Sequence, residues 1–275
     1  VVSRILLICF ISLASFGVGL AADTGEPPVR VVSLDYCADQ YVLKMLPRDR
    51  ILAVSPDAAA GFSYMRESAA GVRSIRPLAE DVLAIRPDLV VRSYGGGPRA
   101  TTFFERAGIP VLQIPYAGNF AEIRQATLTI AGRLHVPDQG RAIVREMNDR
   151  LGAIRRPNTK RNVLYMTSGG ATSGPGTLVH EVLQAAGLDN YEQRPGWHSI
   201  PLERLAYEQP DAVAAAYFDD NVDQAALWSS MRHPLAQRQL QELPTVLLEG
   251  AWTSCGAWFL IDAVEALAAS RDDSR

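Results

Sequence analysis

The sequence predicts an α/β protein of two similar Rossmann-like lobes, each built around a mostly parallel sheet, with a single long helix joining them. The first observation is a phrase that occurs twice, as EDVLAIRPDLVV from Glu80 and as ERLAYEQPDAVAA from Glu203. In both copies the Glu stands seven residues before a Pro, an Asp follows the Pro, and an apolar run follows the Asp. A repeat at this separation exceeds the roughly 20–50 residues of a solenoid unit. It therefore indicates two lobes with a cleft between them, and a cleft is where a ligand binds.

The second observation is the alternation of strand-like and helix-like segments in the first half of the chain. Apolar runs bounded by turn formers predict strands at 29–34, 51–54, 89–92 and 111–114. Helical spacing predicts helices at 35–46, ended by Pro47, and at 101–107, ended by Gly108. This alternation is typical of an α/β lobe with a largely parallel sheet.

The third observation is a helical middle followed by a second alternating set. Few strand formers occur between residues 120 and 156, and apolar residues recur there at helical spacing in two pieces. The second piece begins at Asp138, a good N-cap, and extends for roughly 27 Å. It predicts a linking helix at 138–156 between an N-terminal lobe at 28–137 and a C-terminal lobe at 157–275. In that second lobe we expect strands at 162–167, 212–217 and 245–248, helices at 178–186, 203–208 and 258–269, and a glycine-rich loop at 168–176.

Composition limits the classes of function. The 275 residues are 48% hydrophobic and 21% charged, which is typical of a globular chain long enough for two domains. The formal net charge of −3 argues against a nucleic-acid partner, because such binding needs a basic footprint.

The first 21 residues have the pattern of a secretory signal. Arg4 precedes an apolar stretch at 5–20, and Gly19 and Ala21 are small residues suited to cleavage near Ala21. The alternative is a membrane anchor, for which the stretch is short. Export leaves Cys37 and Cys255 in the mature chain, in a compartment that favours disulfides.

The repeated phrase is partly explained by the need to end a helix and begin a strand. The Pro ends its helix and the Asp starts a turn into a buried strand. This explanation does not fully cover the acid that stands at the same place in both copies, Glu80 and Glu203.

Several segments together resemble the periplasmic substrate-binding proteins of ABC importers, in the helical-backbone metal-receptor class that carries iron siderophores and cobalamin. The segments are VVSLDYCADQYVLKML, RPLAEDVLAIRPDLVV, FFERAGIPVLQI, GPGTLVHEVLQAAGLDN and IPLERLAYEQPDAV. The resemblance implies a periplasmic, monomeric binding protein with little hinge motion. It implies no catalysis and no cofactor, and a ligand held between the lobes. It also implies that Glu80 and Glu203 dock onto an ABC permease dimer in the inner membrane.

The resemblance places the ligand at loops that follow the strands. The residues expected to bind it are Tyr36, Cys37, Arg76, Tyr94, Tyr116, Trp197, His198, Trp252 and Cys255, with Phe218 in the same set of loops. Aromatic side chains can cover the flat faces of a corrin or a catecholate chelate. Tyr94 and Trp252 are the residues most expected to stack on the ligand in this way. Arg76 suits an anionic chelate or is a solvated surface charge.

Three residues leave their roles open. His198 is either a metal ligand or an ordinary loop residue. Cys37 and Cys255, one in each lobe, either form a bridge, supply soft ligands to a metal, or stay unpaired.

The leading hypothesis is capture of cobalamin or a ferric siderophore and its delivery to a permease. A haem carrier ranks behind these because no Tyr and His pair is assured. The alternatives are a chelatase-like enzyme acting on a tetrapyrrole and a periplasmic sensor subunit. The sequence offers no clear nucleophile and base pair to support the enzyme.

Overall fold

The computed structural model describes residues 27–155, 161–217 and 229–270. The expected export signal at 1–21, the C-terminal end of the expected linking helix and Phe218 lie outside the described residues. Within the described ranges, no helix combines the length and the apolar character needed to cross a bilayer.

The strands form two sheets of four and one ribbon of two. They are β1 (Val31–Ser33), β2 (Ile51–Ala53), β3 (Leu89–Arg92), β4 (Val111–Gln113), β5 (Asn162–Thr167), β6 (Ala171–Ser173), β7 (Asp189–Asn190), β8 (Trp197–Ser199), β9 (Ala212–Tyr217) and β10 (Thr245–Glu249). The helices are α1 (Tyr36–Met45), α2 (Arg66–Ala69), α3 (Ala79–Ala84), α4 (Ala100–Arg106), α5 (Phe120–Arg133), α6 (Pro137–Ala153), α7 (Leu178–Ala185), α8 (Leu202–Leu205), α9 (Pro234–Glu242), α10 (Gly250–Thr253) and α11 (Leu260–Ala269).

The two large sheets have the same topology. The first has the order β2-β1-β3-β4 and the second, read from its other edge, β7-β5-β9-β10. Every pairing in both is parallel. In each lobe the first strand lies at the centre, and the strand that follows the repeated phrase lies beside it. This arrangement confirms the predicted α/β class with two similar lobes, and α6 lies between the two sheets in the chain, where the linking helix was expected.

The Asp of the repeated phrase has the same task in both lobes. Asp88 Oδ2 accepts a hydrogen bond from the backbone N–H of Val29, next to β1, at 3.2 Å. Asp211 Oδ2 accepts one from the backbone N–H of Asn162, at the start of β5, at 2.7 Å. Each Asp therefore holds the entry of the central strand beside the strand that follows the phrase.

The largest core cluster contains side chains from both lobes. It includes Val31 of β1, Ile130 of α5, Met147 of α6, Val163 of β5 and Leu267 of α11, all at most 3% exposed. Because one apolar cluster spans both lobes, opening them would expose core surface. This continuity favours a fixed angle between the lobes.

The structure adds elements that periodicity did not predict. The glycine-rich segment 168–176, expected as a loop, contains β6, which pairs antiparallel with β8. Both strands have three residues, which is too short to show a recognisable alternation of apolar and polar residues. Their pairing also joins segments that are distant in the chain. The ribbon matters because it carries Trp197.

Candidate functional site

A cavity of about 370 Å³ lies between the lobes and extends into the C-terminal one. Its lining comes from the loops after β1 and β4 on one side and, on the other, from strands β5 and β10, from helices α7, α10 and α11, and from the β6–β8 ribbon. The lining residues are Tyr36, Tyr116, Tyr165, Thr177, Leu178, Val179, Val182, Leu183, Trp197, Leu248, Thr253, Ser254, Cys255, Gly256, Leu260 and Leu267. No charged side chain occurs among these described lining residues.

Asp35 organises the N-terminal wall of the cavity. It is the N-cap of α1, and its Oδ1 accepts a hydrogen bond from the backbone N–H of Ala38 at 3.0 Å. Its Oδ2 accepts from the backbone N–H groups of Ser93, Tyr94 and Gly95 at 2.7, 3.0 and 2.9 Å. Asp35 is 2% exposed, so these charge-assisted bonds are shielded from water. The carboxylate thus ties the loop after β1 to the loop after β3, at the carboxyl ends of adjacent strands where open α/β sheets bind ligands.

Glycine allows this close approach. A Cβ atom on Gly95 would lie 2.2 Å from the backbone oxygen of Leu34. Only a residue without a side chain therefore lets the Tyr94 loop rest on the β1 loop.

Arg92 holds the same loop from its other side. Its Nη2 donates to the carbonyl oxygens of Tyr94 and Gly97 at 3.1 and 3.0 Å, and its Nη1 donates to Thr101 Oγ1 at 2.9 Å. Arg92 is 6% exposed. The backbone N–H and C=O of Tyr94 are therefore both fixed by charged, buried side chains.

The aromatic rings of the N-terminal wall form a connected set. The Tyr36 ring packs edge-on against Phe62 and Tyr94, with centroids 5.0 and 5.8 Å away. The Tyr36 hydroxyl donates to the carbonyl oxygen of Ser254 in the opposite lobe at 3.4 Å. Burial raises the pKa of both Tyr36 and Tyr94, so both phenols stay protonated at neutral pH.

Asp39 fixes the neighbouring loop after β2. Its carboxylate accepts hydrogen bonds from the Ser33 hydroxyl and from the hydroxyl and backbone N–H of Ser55. Burial raises the pKa of Asp39 to about 6, although these three donors oppose the rise. Asp39 is fully buried, and it joins β1 to the start of the 55–64 loop.

Cys37 and Cys255 are joined by a disulfide, with their Cα atoms 5.7 Å apart. The sequence allowed a bridge, a pair of metal ligands or two unpaired residues, and the structure has the bridge. Cys37 lies in α1 of the N-terminal lobe and Cys255 lies between α10 and α11 of the C-terminal lobe. Because Cys255 also lines the cavity, the covalent link between the lobes forms part of the site itself.

An aromatic seam runs beside the disulfide. The Tyr64 ring stacks on Phe259 at a centroid distance of 4.5 Å, and the Tyr41 ring meets Trp258 edge-on at 5.2 Å. Behind the seam, Arg150 of α6 pairs with Asp262 and Glu265 of α11 at 2.5 and 2.6 Å. These contacts fix α11 against both the N-terminal lobe and the linking helix.

The C-terminal wall is built on the β6–β8 ribbon. Trp197 of β8 is 56% exposed, and its ring meets the buried Tyr165 ring edge-on at 6.0 Å. His198 lines a different cavity, together with Glu192, Arg194 and Glu203, because successive side chains of a strand point to opposite faces. The Nε2 atom of His198 lies 2.9 Å from the carbonyl oxygen of Pro195. The structure therefore brings Trp197, and not His198, to the inter-lobe cavity.

The other expected ligand residues divide between the cavity and its surroundings. Tyr36, Tyr116, Trp197 and Cys255 line it, and Tyr94 contacts Tyr36. Trp252 is half-buried against the main core and is absent from the lining.

The remaining predicted site residues lie on the surface beside short helices. Arg76 pairs with Asp81 at 2.7 Å, with 71% of its side chain exposed, and is absent from the lining. Glu80 and Glu203 are exposed in the first turns of α3 and α8.

Tyr165 lines the cavity although sequence reasoning did not single it out, and it is 1% exposed in β5. The strand NVLYMT reads as buried core, so nothing in its pattern marks Tyr165 as facing an open volume. Among the described residues, no cluster of three His, Cys, Asp or Glu side chains is arranged to hold a metal ion.

Comparison with known proteins identifies the family. The family model described as periplasmic binding protein matches residues 69–232, more than half of the chain. The cobalamin-binding proteins of two Halobacterium salinarum strains are 27% identical over 209 residues, which is 72% of this chain and 57% of each relative. The chain thus spans little more than half the length of these curated relatives.

Solved structures share the fold. A periplasmic heme binding protein from Pseudomonas aeruginosa has a TM-score of 0.66 and 22% identity, covering 90% of this chain and 94% of its own. A periplasmic vitamin B12 binding protein of Vibrio cholerae has a TM-score of 0.62 and 17% identity, with coverages of 90% and 98%. A periplasmic binding protein from Veillonella parvula reaches a TM-score of 0.73 at 13% identity, with coverages of 90% and 92%.

The family match and the two-lobed fold agree with the resemblance drawn from the sequence, and they set the chelatase alternative aside. The chain belongs to the periplasmic binding protein family, whose members bind substrates and are not enzymes.

Proposed function

We propose that this protein captures a flat, ring-shaped metal chelate, with cobalamin as the first candidate, in the cavity between its lobes and delivers it to an ABC permease. The observation that carries the proposal is the set of exposed aromatics around the cavity mouth. Tyr116 is 84% exposed, Trp197 56% and Tyr94 52%. Large rings exposed together at the rim of an apolar cavity are typical of a site where a ligand covers them.

The choice of cobalamin rests on two supports. The curated relatives with the sequence match are cobalamin-binding proteins, and the cavity lining offers aromatic and aliphatic surface without charge. Haem follows, because several proteins of the same fold are named as heme binding. A ferric siderophore stays a third candidate, and Arg76, the basic residue expected to meet an anionic chelate, is already paired with Asp81.

Export to the periplasm is part of the same proposal. The signal-like pattern at 1–21 and the inter-lobe disulfide both suit an oxidising compartment. The aromatic seam and the disulfide hold the two lobes together. They therefore suit a monomer that binds its ligand in a cleft already formed, without hinge closure.

Glu80 and Glu203 supply the proposed contacts to the permease dimer. Each stands at the N-terminal turn of a short helix, exposed and outside the inter-lobe cavity. Each also has an exposed apolar neighbour, Leu78 at 42% and Tyr207 at 93%. In each pair, the acid would attract a basic surface of the permease, and the exposed apolar side chain would add contact area. Nothing among the described residues favours a sensor subunit over this role.

Charge reversal tests the docking step. Glu80→Arg combined with Glu203→Arg is expected to leave ligand affinity within about twofold and to abolish uptake in cells that depend on the transporter, because both charges would repel basic pockets on the permease. The matched control is Glu67→Arg combined with Glu105→Arg, two acids on helices α2 and α4, which is expected to retain uptake. Loss of ligand affinity in the first variant, or normal uptake, would contradict the assigned role.

Ligand titration tests the capture step. The mature oxidised chain is titrated with cyanocobalamin, haem and a ferric catecholate, and binding is followed by visible absorption and by quenching of tryptophan fluorescence. We expect saturable one-to-one binding of cyanocobalamin. No response to any of the three would reject the proposed ligand class, and a response to the catecholate alone would reject the ring ligand.

A further inference from the structure

The inter-lobe disulfide anchors a stretch of the cavity wall. Four consecutive residues of the C-terminal lobe, 253–256, line the cavity, and Cys255 is one of them. Its partner Cys37 is the second residue of α1 and directly follows Tyr36, which lines the cavity from the N-terminal lobe. The bridge therefore joins the two walls of the site to each other.

The residues on either side of Cys255 also contact the N-terminal lobe, but less firmly. The carbonyl oxygen of Ser254 accepts the hydrogen bond from the Tyr36 hydroxyl at 3.4 Å, which is long for a bond between two oxygens. Gly256 packs beside the loop after β4, where a Cβ atom on it would lie 3.1 Å from the carbonyl oxygen of Ala117. Because these two contacts are a long hydrogen bond and a van der Waals contact, the disulfide is the firmest of the three.

The anchored stretch has little regular structure of its own. It begins at the last residue of α10, a helix of only four residues, and continues into the segment 254–259, which is neither helix nor strand. Segments with few regular hydrogen bonds open at a low free energy when their tertiary contacts are removed. Without the bridge, we therefore expect the wall at 253–256 to become mobile.

The packing of the lobes does not depend on the bridge alone. The main core cluster contains side chains of both lobes. The Tyr64 ring stacks on Phe259, and Arg150 of α6 pairs with Asp262 and Glu265 of α11. Breaking the bridge therefore leaves the lobes packed and changes the wall of the cavity between them.

We propose that the Cys37–Cys255 bridge is a redox switch of ligand affinity, in which reduction by a dithiol loosens the wall at 253–256 and weakens binding in the cavity. A thiolate of the dithiol attacks one sulfur and breaks the S–S bond, and the second thiol of the dithiol then resolves the mixed disulfide. Two electrons and two protons pass to the cysteines, which become thiols, while the dithiol becomes a disulfide. The inference rests on the proposed capture of a ligand in this cavity, and it adds the oxidised bridge as a condition.

Ligand and bridge then stabilise each other by the same factor. If the oxidised chain binds a ligand tenfold more tightly than the reduced chain, linkage requires that the ligand makes the bridge tenfold harder to reduce at equilibrium. For a two-electron couple, a tenfold factor corresponds to about 30 mV. A loaded protein therefore keeps its bridge under mildly reducing conditions in which the empty protein loses it.

The first measurement needs no ligand. The mature chain is treated with dithiothreitol at neutral pH without denaturant, the released thiols are counted, and circular dichroism checks that the chain stays folded. Hydrogen exchange is then followed by mass spectrometry. We expect two thiols and at least tenfold faster exchange in the peptide covering 250–257, with exchange in β5 still slow. Cys37→Ser combined with Cys255→Ser is expected to show the same exchange without reductant and no response to dithiothreitol.

The second measurement uses cyanocobalamin as the probe. Its affinity is measured by quenching of tryptophan fluorescence for the oxidised wild-type chain and for the double cysteine variant, which needs no reductant in the titration. We expect at least tenfold weaker binding by the variant. In glutathione buffers of graded composition, cyanocobalamin is expected to shift the midpoint of bridge reduction in the wild-type chain by the same factor.

Ile85→Ala is the matched control for lost stability. Ile85 is 9% exposed in a core cluster of the N-terminal lobe, and it precedes β3, at the end of the sheet away from the cavity. Truncating a buried isoleucine and losing a disulfide destabilise proteins to a similar extent. This variant is expected to unfold at a lower guanidinium concentration, to keep slow exchange at 250–257, and to bind cyanocobalamin within twofold of wild type.

The outcomes separate the switch from the proposed function. Equal affinity of the oxidised chain and the double cysteine variant overturns the switch while ligand capture stands. Failure of dithiothreitol to release two thiols from the folded chain, or unfolding of the chain on reduction, also overturns it. If neither form binds cyanocobalamin, the first candidate ligand is wrong and hydrogen exchange decides the switch. Unchanged exchange at 250–257 then overturns it, and faster exchange confined to that segment supports it.

Discussion

Replacing both Cys37 and Cys255 with serine is expected to lower the free energy of unfolding of the mature chain by about 2 to 5 kcal/mol. The bridge joins residues 218 positions apart, and closing so long a loop restricts the unfolded chain strongly, with a chain-entropy value near the top of that range. The measurement is guanidinium unfolding of wild-type and variant chains without reductant, followed by circular dichroism.

The single variants and reductant provide the controls. Cys37→Ser alone and Cys255→Ser alone are expected to lose as much stability as the double variant, because either one breaks the same bond. Dithiothreitol is expected to bring the wild-type chain to the stability of the variants and to leave the double variant unchanged. Two free thiols in the untreated mature chain, or a reductant effect equal in both proteins, would contradict the bridge.

Asp35→Ala is expected to lower the free energy of unfolding by about 3 to 5 kcal/mol, because it leaves four backbone N–H groups without their carboxylate acceptor. It is also expected to weaken ligand binding by about tenfold, since the loop that presents Tyr94 loses its anchor. Stability is measured by guanidinium unfolding and affinity by fluorescence titration.

Asp88→Ala gives the matched comparison. Asp88 accepts one exposed bond, from Val29, so the same substitution there is expected to cost about 1 kcal/mol and to leave affinity unchanged. Asp35→Asn, which keeps one acceptor oxygen but loses the charge, is expected to fall between the two. If Asp35→Ala were as stable as Asp88→Ala, the carboxylate would not organise the N-terminal wall.

Much of the fold was predictable from sequence, because apolar periodicity and Pro or Gly boundaries act locally. The strands Leu89–Arg92, Asn162–Thr167 and Ala212–Tyr217 match their predicted bounds. The repeated phrase predicted two similar lobes, and the sheets have the same order. The β6–β8 ribbon was not predicted, since its strands are short and its paired residues lie far apart in the chain, as Thr172 and His198 do with 26 positions between them.

The candidate site was less predictable, because it depends on which side chains meet across the lobes. Aromatic loop residues pointed to Tyr36, Tyr116 and Trp197, which do line the cavity. The pairing of Cys37 with Cys255 depends on how the lobes approach, which no local pattern encodes. Tyr165 looks like a core residue in sequence, and only its position in the cavity lining distinguishes it.

Equilibrium dialysis of the mature oxidised chain against cyanocobalamin tests the central claim most directly, with the Trp197→Ala and Tyr116→Ala double variant measured in parallel. Phe103→Ala, an exposed aromatic on α4 away from the cavity, is the control. Capture of a ring chelate in the inter-lobe cavity predicts one bound corrin per chain for wild type and control, and at least tenfold weaker binding for the double variant. Equal binding by all three chains, or none by wild type, would contradict it.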